Sequence, residues 1–282
     1  HSIVIYPSGK FSDQLAPYAQ ISNQRIKKYP NLSNLRHLLK VLKQNPNGII
    51  HIHHSNTLWI ALFTKIFRKN KVIYTEHVLT SDYNPPNKLS YLIFKTQYTI
   101  YIKFVNQIIC VSFAVKNYIQ NYYHINKNKL TVIPNGIPIS NKSFTQVKNT
   151  NKIFSITCVG ALNWIKNYHD LIEITNILVN EYKIYNIHLN IIGDGDLKEK
   201  INTQISKYNL KMNVNLLGHI KLDEIYNVLK RTDLYVQTSL SESFGLGILD
   251  AMSFGIPIIA YDVGAINELV NKESGILIPF SN

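Results

Sequence analysis

Glu242 and Asp250 stand eight residues apart in the stretch SESFGLGILD, with Gly245 and Gly247 between them. A strand-like run ends near Gln237, and a helix-like run begins near Gly245 and stops at Gly255 and Pro257. A helix start offers N–H groups without intrahelical partners, and glycines let a ligand approach the backbone closely. Such a place suits a phosphate. One acid lies in the loop and the other along the helix, so both can face one ligand at two depths. A carboxylate can accept from two vicinal hydroxyls, as in ribose or a hexose. On spacing alone, two acids on solvated faces explain the pattern more simply.

Other polar groups recur at the ends of apolar runs. Lys166 follows Val159-Gly160-Ala161-Leu162 and stands just before a helix-like stretch, where it fits either an electrophilic clamp or an ordinary surface position. Ile191-Ile192-Gly193-Asp194-Gly195-Asp196 ends another run. Its Asp-x-Asp has the form of a metal-binding motif, but two aspartates alone do not make an oxygen cage. Leu217-Gly218-His219-Ile220 and Val263-Gly264-Ala265, before Glu268, close two further runs. In the first half, Tyr74-Thr75-Glu76-His77 ends a run, and His51, His53 and His54 cluster in HIHHS. That spacing is open to metal, although no nearby acid or Cys completes a ligand set.

The elements that position these groups are strands alternating with helices. Strand-like runs cover 3–6, 48–53, 71–75, 107–111 and 130–133, then 153–159, 187–192, 213–217, 233–237, 257–260 and 274–278. They are mostly continuous apolar runs, as in parallel strands buried on both faces. Helix-like stretches cover 31–44 with Asn31 as a cap, 56–69, 88–103, 113–123, 167–181, 197–208, 222–229 and 245–254. This alternation implies two open α/β sheets, with ligands expected at the carboxyl ends of strands. The polar, aperiodic stretch 141–151 after Pro134-Asn135-Gly136 marks the seam, which gives domains over 1–145 and 146–282.

A chain of 282 residues suits two domains. Its formal charge of +13 is uneven: residues 1–148 hold 19 Lys and Arg against Asp13, Glu76 and Asp82, whereas 149–282 hold 11 against 14 acids. The basic half fits anionic lipid, an acidic substrate or a Lys-rich solvated surface, and no nucleic-acid motif accompanies it. The region 89–111 is apolar but interrupted by Lys95 and Lys103, which argues against a spanning helix. The segment 87–104 mixes Lys with Tyr, Phe, Ile and Leu, as an interfacial helix does, and equally suits a helix of the first sheet. Cys110 and Cys158 sit in strand-like runs and read as buried free thiols, in keeping with a reducing compartment. The chain opens at His1 with no visible secretion signal and stops after a strand-like run, so a fragment clipped at both ends is expected.

The stretch 239–262 closely resembles the Glu-x7-Glu signature of the family 4 glycosyltransferases (glycosyl transferases group 1), retaining enzymes of the GT-B fold. The resemblance covers roughly residues 48–279, strongly in the second half. It implies two Rossmann-like parallel-sheet domains facing across a cleft, the second binding a nucleotide sugar. Glu242 then lies by the donor sugar, Asp250 binds the donor ribose, and the backbone of Ser243, Phe244, Gly245 and Leu246 holds the sugar and distal phosphate. Gly160 and Lys166 match a segment whose Lys contacts the diphosphate. Gly193 and Gly195 match a strand-end turn, and His219 and Ile220 a loop facing the base. His77 matches an N-domain His that reaches the donor sugar, while Val111-Ser112 and the turn at 133–136 match positions near the cleft and hinge.

The resemblance implies transfer to a glycan or lipid-linked hydroxyl with no metal, in surface polysaccharide synthesis. His77, Lys166 and Glu242 are the implied catalytic residues. The basic first half and the segment 87–104 suggest an acceptor at the inner membrane face, with the protein cytoplasmic and peripheral on an anionic surface there. Asp250 stands where the family has Glu, and Ala161 replaces an Arg, one of two usual cations at the leaving group. Two alternatives are a GT-B nucleotide-sugar epimerase and a non-catalytic sugar-nucleotide-binding module.

Overall fold

The computed structural model describes residues 3–5, 20–22, 32–67, 70–79, 87–137 and 153–280. The seam at 141–151 and the cap at Asn31 lie outside them. The chain separates into two compact units, one of His1–His77, Tyr83–Cys110 and Tyr118–Val132, the other of Val78–Asp82, Val111–Asn117 and Ile133–Asn282.

In chain order the first elements are β1 (Ile3–Ile5), β2 (Gln20–Ser22), α1 (Leu32–Gln44), β3 (Ile49–Ile52), α2 (Trp59–Phe67) and β4 (Lys71–Glu76). Then come α3 (Lys88–Ile102), β5 (Gln107–Cys110), α4 (Phe113–Tyr123) and β6 (Leu130–Val132). Strands β3-β4-β5-β6 form one parallel sheet in that order. Strands β1 and β2 pair in a separate parallel ribbon, and β2 is not anticipated from the sequence. The helix expected over 56–69 opens instead as a 3-10 turn at Ser55–Thr57, because His54 Nδ1 accepts from Asn56 N at 3.1 Å. The side chain of Asn87 caps α3 by accepting from Ser90 N at 2.8 Å. Along α3, Tyr98 and Ile102 are buried, as a helix of the first sheet requires, while Leu89, Leu92, Ile93 and Ile100 are exposed. No helix among the described residues is long and apolar enough to cross a membrane.

The second unit holds β7 (Phe154–Val159), α5 (Tyr168–Asn176), β8 (Ile187–Ile192), α6 (Lys198–Lys207), β9 (Val214–Gly218) and α7 (Leu222–Leu229). It continues with β10 (Leu234–Gln237), α8 (Leu246–Ser253), β11 (Ile258–Tyr261), α9 (Ile266–Leu269) and β12 (Gly275–Ile278). The helix expected over 167–181 begins at Tyr168, since Asn167 takes a left-handed conformation at φ 46°, and it ends in a π turn at Ile177–Glu181.

All six strands run parallel in the order β12-β11-β10-β7-β8-β9. Successive side chains of a strand point to opposite faces. Val236 accordingly joins Ile156, Leu171, Ile172, Leu189 and Ile201 in one core layer, and Tyr235 joins Ile248, Phe254, Ile258 and Ile266 in the other. The chain leaves the outer strand β9 and returns to lay β10 beside β7. Asp233 fixes that pairing: its carboxylate accepts from Ser155 N at 2.8 Å, and its own N–H donates to Ser155 O at 2.8 Å. Strand order therefore reverses between β7 and β10, the point where open α/β sheets bind ligands. Cys110 and Cys158 are buried and form no disulfide, as expected, and burial pushes the Cys158 thiol up to about 12.

Candidate active site

The loops after β7 and β10 meet where the strand order reverses. Gly160 follows β7, and its carbonyl accepts from the buried Tyr168 hydroxyl at 2.8 Å. A 3-10 turn at Trp164–Lys166 comes next, held by Asn163 Oδ1 accepting from Lys166 N at 3.3 Å. The β10 loop is tied to this turn through its backbone: Leu240 N donates to Ile165 O at 2.7 Å, and Thr238 Oγ1 to Asn167 O at 2.9 Å. Lys166 Nζ thereby reaches Glu242 Oε2 at 2.6 Å, with the two side chains 21% and 13% exposed. Gln237, at the end of β10 and buried, donates its Nε2 to the same oxygen at 2.6 Å.

A third loop holds Glu242 from behind. Ala265 N donates to Glu242 O at 2.9 Å. Gly264 has φ +56°, and a Cβ there would stand 2.1 Å from Glu242 O, so only glycine fits. Ser243 and Phe244 are buried, and Ser243 Oγ accepts from the backbone of Leu79, a member of the same unit, at 2.9 Å. Gly245 is the N-cap of α8 and supplies no side chain to it, and the first turn carries no acid. The first turn of α8 thus has neither a side-chain cap nor an acid to offset its positive end. Leu246, the first helical residue, is exposed.

Asp250 lies on α8 in different surroundings. Burial raises its pKa, and a hydrogen bond from Tyr226 on α7 partly offsets that. The two acids therefore do not share partners: Glu242 takes Lys166 and Gln237, and Asp250 takes Tyr226.

Gly193 lies against the first loop. A Cβ on it would come 1.9 Å from Gly160 O, so glycine lets the β8 loop pack beneath the β7 loop. Asp194, between Gly193 and Gly195, is spent on the turn: its carbonyl accepts from Leu162 N at 3.0 Å and its carboxylate from Gly195 N at 2.9 Å. His219 is exposed and Ile220 half-buried after the edge strand β9, and no described hydrogen bond links either to the Lys166–Glu242 pair.

Within the first unit, His77 follows β4. Its Nε2 lies 3.1 Å from His53 Nδ1, and His51 Nε2 lies 2.7 Å from Thr75 Oγ1. Just before it, the buried Glu76 accepts from the hydroxyls of Tyr74 at 3.0 Å and Tyr98 at 2.5 Å. Among the described residues no group of three or more His, Cys, Asp or Glu could hold a metal. Burial lowers the pKa of His51, His53 and His77, and charge repulsion from His53 lowers His51 and His77 further.

The family model described as glycosyl transferases group 1 matches residues 139–282, and that described as glycosyltransferase family 4 matches residues 3–141. The chain is similar to the UDP-Gal:alpha-D-GlcNAc-diphosphoundecaprenol alpha-1,3-galactosyltransferase of Escherichia coli. Identity is 27% over 301 residues, which cover 100% of this chain and 76% of that protein. In structure it is similar to Anabaena Alr3699/HepE in complex with UDP and glucose, with TM-score 0.74 and 20% identity over 97% of this chain and 76% of that one. A glycosyltransferase from Rickettsia africae matches with TM-score 0.76 and 19% identity, covering 100% of this chain and 77% of that one. These likenesses establish the fold class as GT-B.

The histidine cluster makes a stability prediction. Each imidazole titrates lower folded than at its ordinary 6.5, so below that pH the unfolded chain binds more protons. This contribution to stability is fully present above pH 6.5 and is lost as pH falls through the lowered folded values. Thermal melts from about pH 8 to pH 5 should show that decline, shallower in His53→Gln, and an unchanged slope in that variant would contradict it.

Proposed function

This chain belongs to the glycosyl transferases group 1 family, and from that membership we propose that it moves a sugar, with retention, from a nucleoside diphosphate to a hydroxyl of a glycan or lipid-linked glycan. The observation that carries the proposal is the Lys166–Glu242 pair beside the first turn of α8, at the reversal of strand order. Negative charge builds on the departing diphosphate as the sugar leaves. A lysine and a helix N-terminus at that place stabilise it without a metal. Glu242 then orients a sugar hydroxyl, since a carboxylate accepts such bonds well. His77 is assigned to the same sugar, and Asp250 to the ribose, on the family resemblance. Ala161 is exposed and adds no cation, so the load on Lys166 is greater.

UDP and glucose bound by HepE, and the lipid-linked acceptor named for the Escherichia coli relative, support a nucleotide-sugar donor and a membrane-borne acceptor. The exposed face of α3 supports the second point. Leu89 and Leu92 are 66% and 59% exposed, Ile93 and Ile100 continue the face, and Lys88 and Lys103 flank it. Apolar side chains edged by lysines suit the boundary of an anionic bilayer.

Lys166→Ala should lower turnover by roughly 10²–10³-fold with EDTA present in all assays. Near-unaltered rates would remove Lys166 from the reaction, and a requirement for added divalent metal would refute the metal-free account. NMR of the product's anomeric carbon should match the donor's configuration. Inversion would refute retention. The chain should sediment with vesicles containing phosphatidylglycerol and less with pure phosphatidylcholine. Leu92→Ser with Ile93→Ser should weaken that binding, and an equal preference for both vesicles would end the membrane proposal.

A further inference from the structure

Gln237 is a lone amide at the end of the apolar strand β10, 2% exposed. Its orientation follows from its neighbours. A carboxylate cannot donate, so the Nε2 side must face Glu242 Oε2, 2.6 Å away. On the other side, Gln237 Oε1 accepts from the Tyr235 hydroxyl at 3.2 Å, and that hydroxyl accepts from Val159 N at 3.2 Å. Ser239 Oγ takes a second contact from Nε2 at 3.1 Å. The amide is thus held at its Nε2 end by Glu242 and Ser239 of the loop after β10 and at its Oε1 end by the buried Tyr235 of β10. Lys166, by contrast, sits on a flexible stem and is 21% exposed.

We infer that Gln237 is the positioning residue that keeps Glu242 aimed when a bound diphosphate draws Lys166 away. Both donors converge on Oε2, and no described partner engages Oε1. A diphosphate competes for the lysine. Without a second donor, the carboxylate would then lose its only counter-partner in a poorly solvated loop. The amide retains Oε2, and Oε1 stays directed at a hydroxyl of the sugar. Gln237 touches neither sugar nor phosphate; it acts through Glu242. The inference rests on the donor-site assignment of the preceding section.

The test separates the two claims. Calorimetry would measure UDP-galactose against UDP, and GDP-mannose against GDP, in the unaltered chain, Gln237→Leu and Gln237→Glu. Gln237→Leu should keep nucleoside-diphosphate affinity within about threefold while the ratio of nucleotide-sugar to nucleoside-diphosphate affinity falls roughly 10- to 100-fold, the effect of one charge-assisted hydrogen bond. Retained nucleoside-diphosphate binding also shows that the variant is folded.

Gln237→Glu places a second carboxyl beside Glu242, and such a pair shares a proton as pH falls. The ratio should be low at about pH 8 and recover towards the unaltered value near about pH 5.5, because a protonated acid donates as the amide does. A packing role would show no such recovery. A variant that is weak at both pH values, or unaltered ratios in both variants, would overturn the inference and leave the donor site standing. No binding of any probe by the unaltered chain would overturn both.

Discussion

One carboxylate oxygen, Glu242 Oε2, receives a lysine and an amide at 2.6 Å each. Both side chains of the ion pair are largely withdrawn from water, so desolvation opposes it and good geometry must compensate. A buried pair of this kind is a poor source of stability and a good store of orientation. The lysine is held next to the helix start by an acid that a stronger anion can replace. On the proposed donor site, exchange of that carboxylate for a diphosphate would keep the lysine paired and leave no charge stranded in a low-dielectric loop.

That arrangement depends on strand order more than on local sequence. Residues 166 and 242 are brought together because β10 lies beside β7, and Asp233 and Ser155 fix that adjacency through paired backbone and carboxylate bonds. Two glycines then allow three loops to stack. Gly193 admits the carbonyl of Gly160, and Gly264 admits the carbonyl of Glu242. The hydrophobic layers on either side, around Ile172 and Ile248, fix the helices and hence the direction of the first-turn amides.

Much of this was legible in the residues. Continuous apolar runs between turn signals located eleven of the twelve strands among the described residues, because parallel strands buried on both faces carry an unbroken apolar pattern. Gln20–Ser22 is missed since one apolar residue between Gln and Ser makes no apolar run, and the four-residue helix Ile266–Leu269 is too short for periodicity. The resemblance singled out Glu242 and Lys166, and the structure brings them into contact. Gln237 was invisible as a site residue: one amide after Leu-Tyr-Val reads as the end of a strand, and its partner is defined only by how the next loop folds back. Tyr226 is hidden for the same reason, as its bond to Asp250 crosses between helices α7 and α8. The Asp194-x-Asp196 pattern is explained locally by a turn in which Asp194 accepts from Gly195 N.

The central claim is that Lys166 leaves Glu242 for a diphosphate at the start of α8. A crystal structure of the chain soaked with UDP tests it most directly. The account predicts a phosphate against the amides of Gly245 and Leu246, with Lys166 Nζ on a phosphate oxygen and Gln237 Nε2 still on Glu242. UDP bound there with the lysine unmoved from Glu242, or UDP bound elsewhere on the chain, would contradict it.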